Sequence, residues 1–341
     1  MTEVCVIGTA LNPVPTEAPW SGIESLVTYM VRGFVKLGVD VTLVSVDGSL
    51  WKGWEAINLV EVPVKGGDVE GEFYQGYREA VADYPCVIDH SNGKLARKAN
   101  RRVIQVSHWL QHPVSMGYRN VVCISKAHAR WTHAQYPFKD RRPEVVYNGI
   151  DPTLFPYTEE KGDYFLFFSV LGPYKGADTV MELAHKHPQY KFGFGGRNTT
   201  YTEVVKREAM DHPNILFFGE VSHQRKKEIM GEAKALIQPA KPFNPRARYP
   251  FMDIFPMTIV EANLCGTPVI GLANGGVPEM IEDGVNGFLC RSVDEIVEAM
   301  GRVDEIDPED CRRYAEERFN HIRMAKDYLR LVDRVVQGDW W

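Results

Sequence analysis

The sequence contains no run of about 18 apolar residues, the length a helix needs to cross a bilayer. Its opening, MTEVCVIGTA, lacks the basic start and the apolar stretch of a secretory signal. Together these absences predict a chain that neither spans a membrane nor is exported by that route. Cysteine is sparse: Cys5, Cys86, Cys123, Cys265, Cys290 and Cys311 are the six, and no two are spaced as metal ligands. Most stand in apolar, strand-like runs, where a reduced thiol acts as a small hydrophobe, so a cytoplasmic setting is expected. Strong net charge is also missing, since 39 basic against 45 acidic residues give −6. That balance supplies no global reason to expect a nucleic-acid partner.

One local absence has the opposite sense. From His90 to Lys139 there is no Asp or Glu, while Lys94, Arg97, Lys98, Arg101, Arg102, Arg119, Lys126, Arg130 and Lys139 all occur. If a helix runs from Lys94 to Arg102, its five basic residues recur at i, i+3, i+4, i+7 and i+8 and share one face. Such a face is a candidate surface for an anionic acceptor or an anionic membrane leaflet, and a solvated charged face is the plainer reading.

With 341 residues the chain is long for one core and comfortable for two domains. Short apolar runs at Val4 to Gly8, Val39 to Val46, Asn58 to Val64, Cys86 to Asp89, Val103 to Ser107, Val121 to Ser125 and Val145 to Tyr147 read as strands. Helical spacing intervenes, first through Ile23, Leu26, Val27, Met30, Phe34 and Leu37, with Gly38 closing that helix. Alternation of this kind predicts a mostly parallel sheet covered on both faces, a Rossmann-like domain over residues 1–150. The stretch 151–162, DPTLFPYTEEKG, reads as a linker. A second alternation follows, with strands at Tyr164 to Phe168, Lys191 to Phe194, Ile215 to Phe218, Ala235 to Gln238 and Val269 to Leu272. It predicts a second Rossmann-like domain over 163–307, and a last helix is expected from about Pro308 to Val336 within 308–341.

The richest stretch is Arg248 to Leu289. Pro256 lacks an N–H but suits the first position of a helix, so a helix is expected from Pro256 to about Leu264, with the amides of Met257 and Thr258 facing outward. A helix start is an anion site, because unpaired amides and the positive dipole end face one spot. Asp253 precedes it and Glu261 lies within it, and carboxylates suit sugar hydroxyls better than phosphates. Asn274-Gly275-Gly276-Val277 then forms a tight loop at the carboxyl end of a strand, where open α/β sheets bind ligands.

Asp253, Phe255, Pro256, Glu261, Ala262 and Cys265-Gly266-Thr267-Pro268-Val269 together resemble the donor-binding signature of retaining glycosyltransferases of the GT-B fold, family four. The resemblance extends over nearly the whole chain, through Ile124 to His128, Asn148-Gly149 and the closing helix. It implies an α/β fold of two Rossmann-like domains facing across a cleft, the first for the acceptor and the second for a nucleoside-diphosphate sugar, with the last helix crossing back to the first domain. It implies transfer of a hexosyl unit to an acceptor hydroxyl with retention, in the synthesis of glycans or glycolipids, and with no obligatory cofactor or metal.

Residue by residue, the resemblance makes Lys175 a diphosphate contact, Glu261 the acceptor for ribose hydroxyls, Asp253 a neighbour of the transferred sugar and His108 a residue at its reactive face. It places Gly22 in the loop that approaches the donor, where the family usually has two glycines. Three positions depart from the pattern. Val170 stands where an arginine is usual, Asp253 replaces a glutamate, and Pro256 replaces a glycine. Arg197, Arg246 or Arg248 are candidates for the missing charge. The departures leave open a non-catalytic nucleotide-sugar-binding relative, and the basic stretch leaves open a glycosyltransferase acting on nucleic acid.

Overall fold

The computed structural model describes residues 3–15, 21–91, 95–110, 119–135, 142–239, 241 and 252–341. Lys94, Lys139, Arg246 and Arg248 lie outside them. The chain divides into two compact units, one comprising residues up to Asp151 together with Phe319–Trp341, the other Pro152–Arg318.

The first unit is built in the order β1 (Glu3–Ile7), α1 (Gly22–Lys36), β2 (Asp40–Val46), β3 (Asn58–Val62), α2 (Val69–Tyr77), β4 (Val87–Asp89), α3 (Ala96–Ala99), β5 (Val103–Ser107), β6 (Val121–Cys123), α4 (Lys126–Gln135) and β7 (Glu144–Val145). Its seven strands are all parallel and lie in the order β3-β2-β1-β4-β5-β6-β7. Strands covered on both faces need apolar side chains at every position, and Val4, Cys5, Val6 and Ile7 are all completely buried. Helix α1 turns Leu26, Val27, Met30, Val31 and Phe34 inward. Gly38, at φ +70°, ends it by donating to Val35 O while Val39 donates to Phe34 O, which pairs carbonyls the helix end would otherwise leave open.

The second unit runs β8 (Tyr164–Phe168), α5 (Ala177–Lys186), β9 (Lys191–Gly195), α6 (Thr202–Asp211), β10 (Ile215–Gly219), α7 (His223–Glu232), β11 (Ala235–Gln238), α8 (Met257–Leu264), β12 (Val269–Leu272), β13 (Gly287–Cys290), α9 (Val293–Arg302) and α10 (Pro308–Arg318). Six parallel strands take the order β10-β9-β8-β11-β12-β13. Phe165, Phe167, Phe192 and Phe194 fill the core between this sheet and its helices. Both sheets therefore reverse direction beside their first strand, at β1/β4 and at β8/β11.

Three expectations change. The nine-residue basic helix does not form, because α3 stops at Ala99 and Asn100 is extended at φ −136°, ψ 135°. The Asn100 side chain is drawn inward to donate to Val81 O and Tyr84 O, each at 2.9 Å, which takes the backbone out of the helix. Arg97 and Lys98 are thus on a helical turn while Arg101 and Arg102 lie beyond it, all four exposed. The last helix is two: α10 ends at Arg318, Phe319 and Asn320 break the run, and α11 (His321–Val336) restarts with Asn320 Oδ1 accepting from Arg323 N at 2.8 Å. Finally, the expected linker is packed. Lys161 Nζ donates to Gly231 O, Cys265 O and Thr267 Oγ1 at 3.0–3.1 Å, fastening the segment to the ends of α7 and α8.

Candidate functional site

At a reversal point the loops leaving neighbouring strands diverge and open a crevice at the carboxyl edge of the sheet. In the second unit those loops follow β8 and β11. After β8, Gly172 to Gly176 makes one tight turn that ends in Lys175 and leads into α5, with Gly176 at φ +89°. After β11 the chain returns at Asp253, which is buried. Lys175 Nζ and Asp253 Oδ1 meet at 2.5 Å, and Gln238 Nε2, on the last residue of β11, donates to Asp253 Oδ2 at 3.2 Å. Two residues expected to act separately are therefore one ion pair.

Asn274 to Val277 supports Asp253 from behind. Gly276 N donates to Asp253 O at 2.8 Å, and a Cβ on Gly275 would lie 2.2 Å from that same oxygen. Gly275 also needs φ +60°, which only glycine adopts at low cost. The loop is thus a brace for the aspartate backbone. Ile254, Phe255 and Pro256 are buried beside it, while Met257 and Thr258 are half-buried at the start of α8. That helix begins one residue later than expected. Pro256 is its cap residue at φ −70°, ψ 99°, and no side chain among the described residues caps the end.

Glu261 is buried in α8, and its Oε1 accepts from Lys226 Nζ of α7 at 2.7 Å. Its Oε2 is buried with no hydrogen-bond partner among the described residues. Buried acceptors are seldom left unpaired, so an unused carboxylate oxygen marks a place for a donor such as a hydroxyl. Lys226 was missed from the sequence. Its signal was its place on α7, where residues 226, 229 and 230 share a face and Ile229 and Met230 are completely buried. The ammonium also lies 5.8 Å from the centre of the Phe168 ring, two residues before Val170.

Arg197 is exposed, and its carbonyl accepts from Leu171 N at 2.9 Å, which places it beside the Lys175 turn. Its charge is felt there: burial pushes the Tyr174 phenol up, Arg197 opposes that shift and Asp253 adds to it.

In the first unit the reversal point carries histidines. His108 follows β5, and its Nε2 lies 2.9 Å from Nδ1 of His90, which follows β4; the rings stack with centres 5.1 Å apart. Burial, with His128 adding to it, lowers His108 to about 3, and burial with His108 lowers His90 well below its usual value. Both rings are neutral at physiological pH. Asp89, the last residue of β4, accepts at Oδ1 from Ser91 N and Oγ at 2.8 and 2.6 Å, while Oδ2 is buried without a partner among the described residues. Burial raises its carboxyl to about 6. Asp89 and His90 were not singled out from sequence, though a polar pair ending an apolar strand at a reversal point is a legible sign. Gly22 opens α1, and no atom of the described residues lies within 4 Å of where a Cβ would stand.

Comparison with known proteins bears on the second unit most directly. Residues 155–319 match the family model described as glycosyl transferases group 1. An uncharacterized glycosyltransferase of Methanocaldococcus jannaschii is 28% identical over 153 residues, covering 44% of this chain and 40% of that protein. The chain spans less than half the length of the curated relatives it matches first. AviGT4, a glycosyltransferase involved in avilamycin A biosynthesis, superposes with TM-score 0.77 at 21% identity over 100% of both chains. Anabaena HepE in complex with UDP-glucose does so with TM-score 0.72 at 17% identity, over 98% of this chain and 100% of that one. The α/β, two-domain architecture is that of GT-B proteins.

Proposed function

Because residues 155–319 match the family model of glycosyl transferases group 1, we propose that the protein is a retaining glycosyltransferase that moves a hexosyl unit from a nucleoside-diphosphate sugar to an acceptor hydroxyl. The observation that carries the reading is the set of groups at the reversal point of the second sheet: the Lys175–Asp253 pair, and Glu261 with one oxygen held by Lys226 and the other unpaired among the described residues. On this reading the diphosphate draws the Lys175 ammonium from Asp253 and lies against the start of α8, where amides and dipole favour an anion. Asp253, released from the lysine, accepts from a hydroxyl of the sugar, and Glu261 Oε2 accepts from the ribose. Lys175, helped by Lys226 and Arg197, supplies the charge that an arginine at position 170 would bring, so no metal is required.

Transfer breaks the bond from the anomeric carbon to the phosphate oxygen and forms one to the acceptor oxygen on the same face. The acceptor's proton passes to the departing phosphate oxygen. His108, neutral and held by His90, orients hydroxyls in the first unit, the acceptor-binding one, and cannot serve as a cationic acid. An acceptor of glycan or glycolipid type fits this chemistry. HepE binds UDP-glucose, which makes that compound a sensible first donor to try.

The Lys175–Asp253 pair also favours a second reading, in which the lysine stays engaged and the protein binds nucleotide sugars without turnover. Among the described residues the basic helix argued for nucleic acid or an anionic membrane stops at Ala99, so that helical face does not support either partner. No helix among the described residues is long and apolar enough to cross a membrane. A panel of UDP-, GDP-, ADP- and dTDP-sugars, scored for thermal stabilisation and for slow release of nucleoside diphosphate, tests the proposal. Stabilisation with release by one donor supports transfer, stabilisation without release by any donor, with or without a panel of glycan and lipid acceptors, supports the binding-only reading, and no response to any donor refutes both.

A further inference from the structure

In parallel α/β units each helix runs back from the carboxyl edge of the sheet, so the C-termini of α5 and α6 reach the amino edge, opposite Lys175, Asp253 and Glu261. Three metal-ligating side chains meet there. His185 is in the last turn of α5, Glu208 in the last turn of α6, and His212 is the residue that closes α6. His185 Nε2 lies 2.9 Å and His212 Nδ1 3.3 Å from Glu208 Oε2, and one ligand atom from each of the three lies within 4.8 Å of the others. With metal–ligand bonds of about 2.0–2.1 Å, neighbouring ligands of a tetrahedral ion stand roughly 3.3 Å apart, so small rotations of these side chains suffice.

The backbone beneath them is fixed. Asn214 Nδ2 donates to Ala184 O at 2.9 Å and to Tyr190 O at 3.2 Å, tying the end of α5 to the chain that enters β10 just after His212. Two helix C-termini also converge here, and their negative dipole ends favour a cation. His185 and His212 are both partly open to solvent, at 41% and 43% side-chain exposure, so an ion can enter and water can complete its shell. Two imidazoles and one carboxylate suit zinc-class ions and not magnesium or calcium, which prefer all-oxygen shells.

We propose that His185, Glu208 and His212 form a binding site for a zinc-class divalent cation that cross-links α5 to α6. The site is remote from the proposed donor groups, so it neither needs nor implies a metal in sugar transfer. It also does not rest on that reading. The six cysteines are all buried, which keeps thiolates from competing in a test.

The test uses untagged protein stripped with EDTA and titrated with Zn2+, Co2+ and Mg2+. The wild type is expected to take up one equivalent of Zn2+ with a rise in melting temperature reversed by EDTA, to give the visible bands of a Co2+–imidazole site, and to ignore Mg2+. His185→Ala, His185→Gln and His212→Ala each should weaken Zn2+ binding at least tenfold. Because these side chains are only about half buried, their unliganded melting temperatures should stay close to that of the wild type. Absence of Zn2+ and Co2+ binding by the wild type, equal binding by the histidine variants, or equal binding of Mg2+ would overturn the proposal.

Discussion

Replacing Lys226 by Met removes a charge from a buried pair while keeping the length of the side chain. Lys226 and Glu261 are only 13% and 7% exposed at their side chains, and Glu261 Oε2 already has no partner among the described residues. The variant leaves a buried carboxylate with neither oxygen paired. Breaking a buried ion pair on one side costs about 3–5 kcal/mol, and in a unit of this size each kcal/mol moves the melting temperature by roughly 2–4 °C. A fall of roughly 6–20 °C is therefore expected, measured by calorimetry or near-ultraviolet circular dichroism. Adding Glu261→Gln to the same chain removes the stranded charge and should restore most of the loss. Donor binding should not return in the double variant, because the amide offers a weaker acceptor to a hydroxyl than the carboxylate does. If Lys226→Met alone melts within 2 °C of the wild type, or if the double variant is less stable than the single one, the pair does not hold Glu261 in the way described.

Other perturbations have equally definite outcomes. Lys175→Ala should lower turnover about 10²–10³-fold in nucleoside diphosphate release, the usual cost of losing one charge-stabilising donor, and Asp253→Asn should weaken the sugar contact while leaving nucleoside-diphosphate binding measurable. Gly276→Ala places a Cβ 2.1 Å from Ile254 O and should lower both thermal stability and donor affinity by shifting Asp253. Asp89 has a folded carboxyl raised to about 6 from an ordinary 3.8, so between these values the folded state holds the proton more tightly and stability falls as pH rises. Asp89→Asn should therefore gain stability above pH 6, by up to about 3 kcal/mol, and gain little at pH 4, in urea titrations at the two pH values. The lowered His108 acts in the opposite sense, its contribution being present above about 6.5 and lost as pH falls toward 3.

How far the sequence could be read depended on which interactions are local. Fully buried parallel strands announce themselves as unbroken apolar runs, so β1, β5, β8 and β12 were legible. Strand β13 was not, because Gly287 to Cys290 follows a turn with no helix pattern before it. The basic run looked helical by spacing alone, but Asn100 finds its carbonyl partners about 16 to 19 residues away, at Val81 and Tyr84, and no local pattern reports that. Lys175, Asp253 and Glu261 were named as site candidates because of the motif they sit in. Their partners Lys226 and Gln238, and the pairing of His90 with His108, arise from elements brought together only by the sheet order.

The break at Phe319 and Asn320 has a consequence for how the chain is made. Residues 152–318 form one uninterrupted stretch, so the second unit has all its parts as soon as α10 has been synthesised. The first unit does not. Its helix α1 packs against α11, and Ile150 is bonded to both Phe319 and His321, so an early segment waits for a much later one before its apolar face is covered. Domains generally complete in the order of synthesis; here the order is inverted, and the nascent first unit carries an uncovered helix face throughout the making of the second. A chain cut before His321 would accordingly spare the unit nearer the cut and strip the one that was begun first.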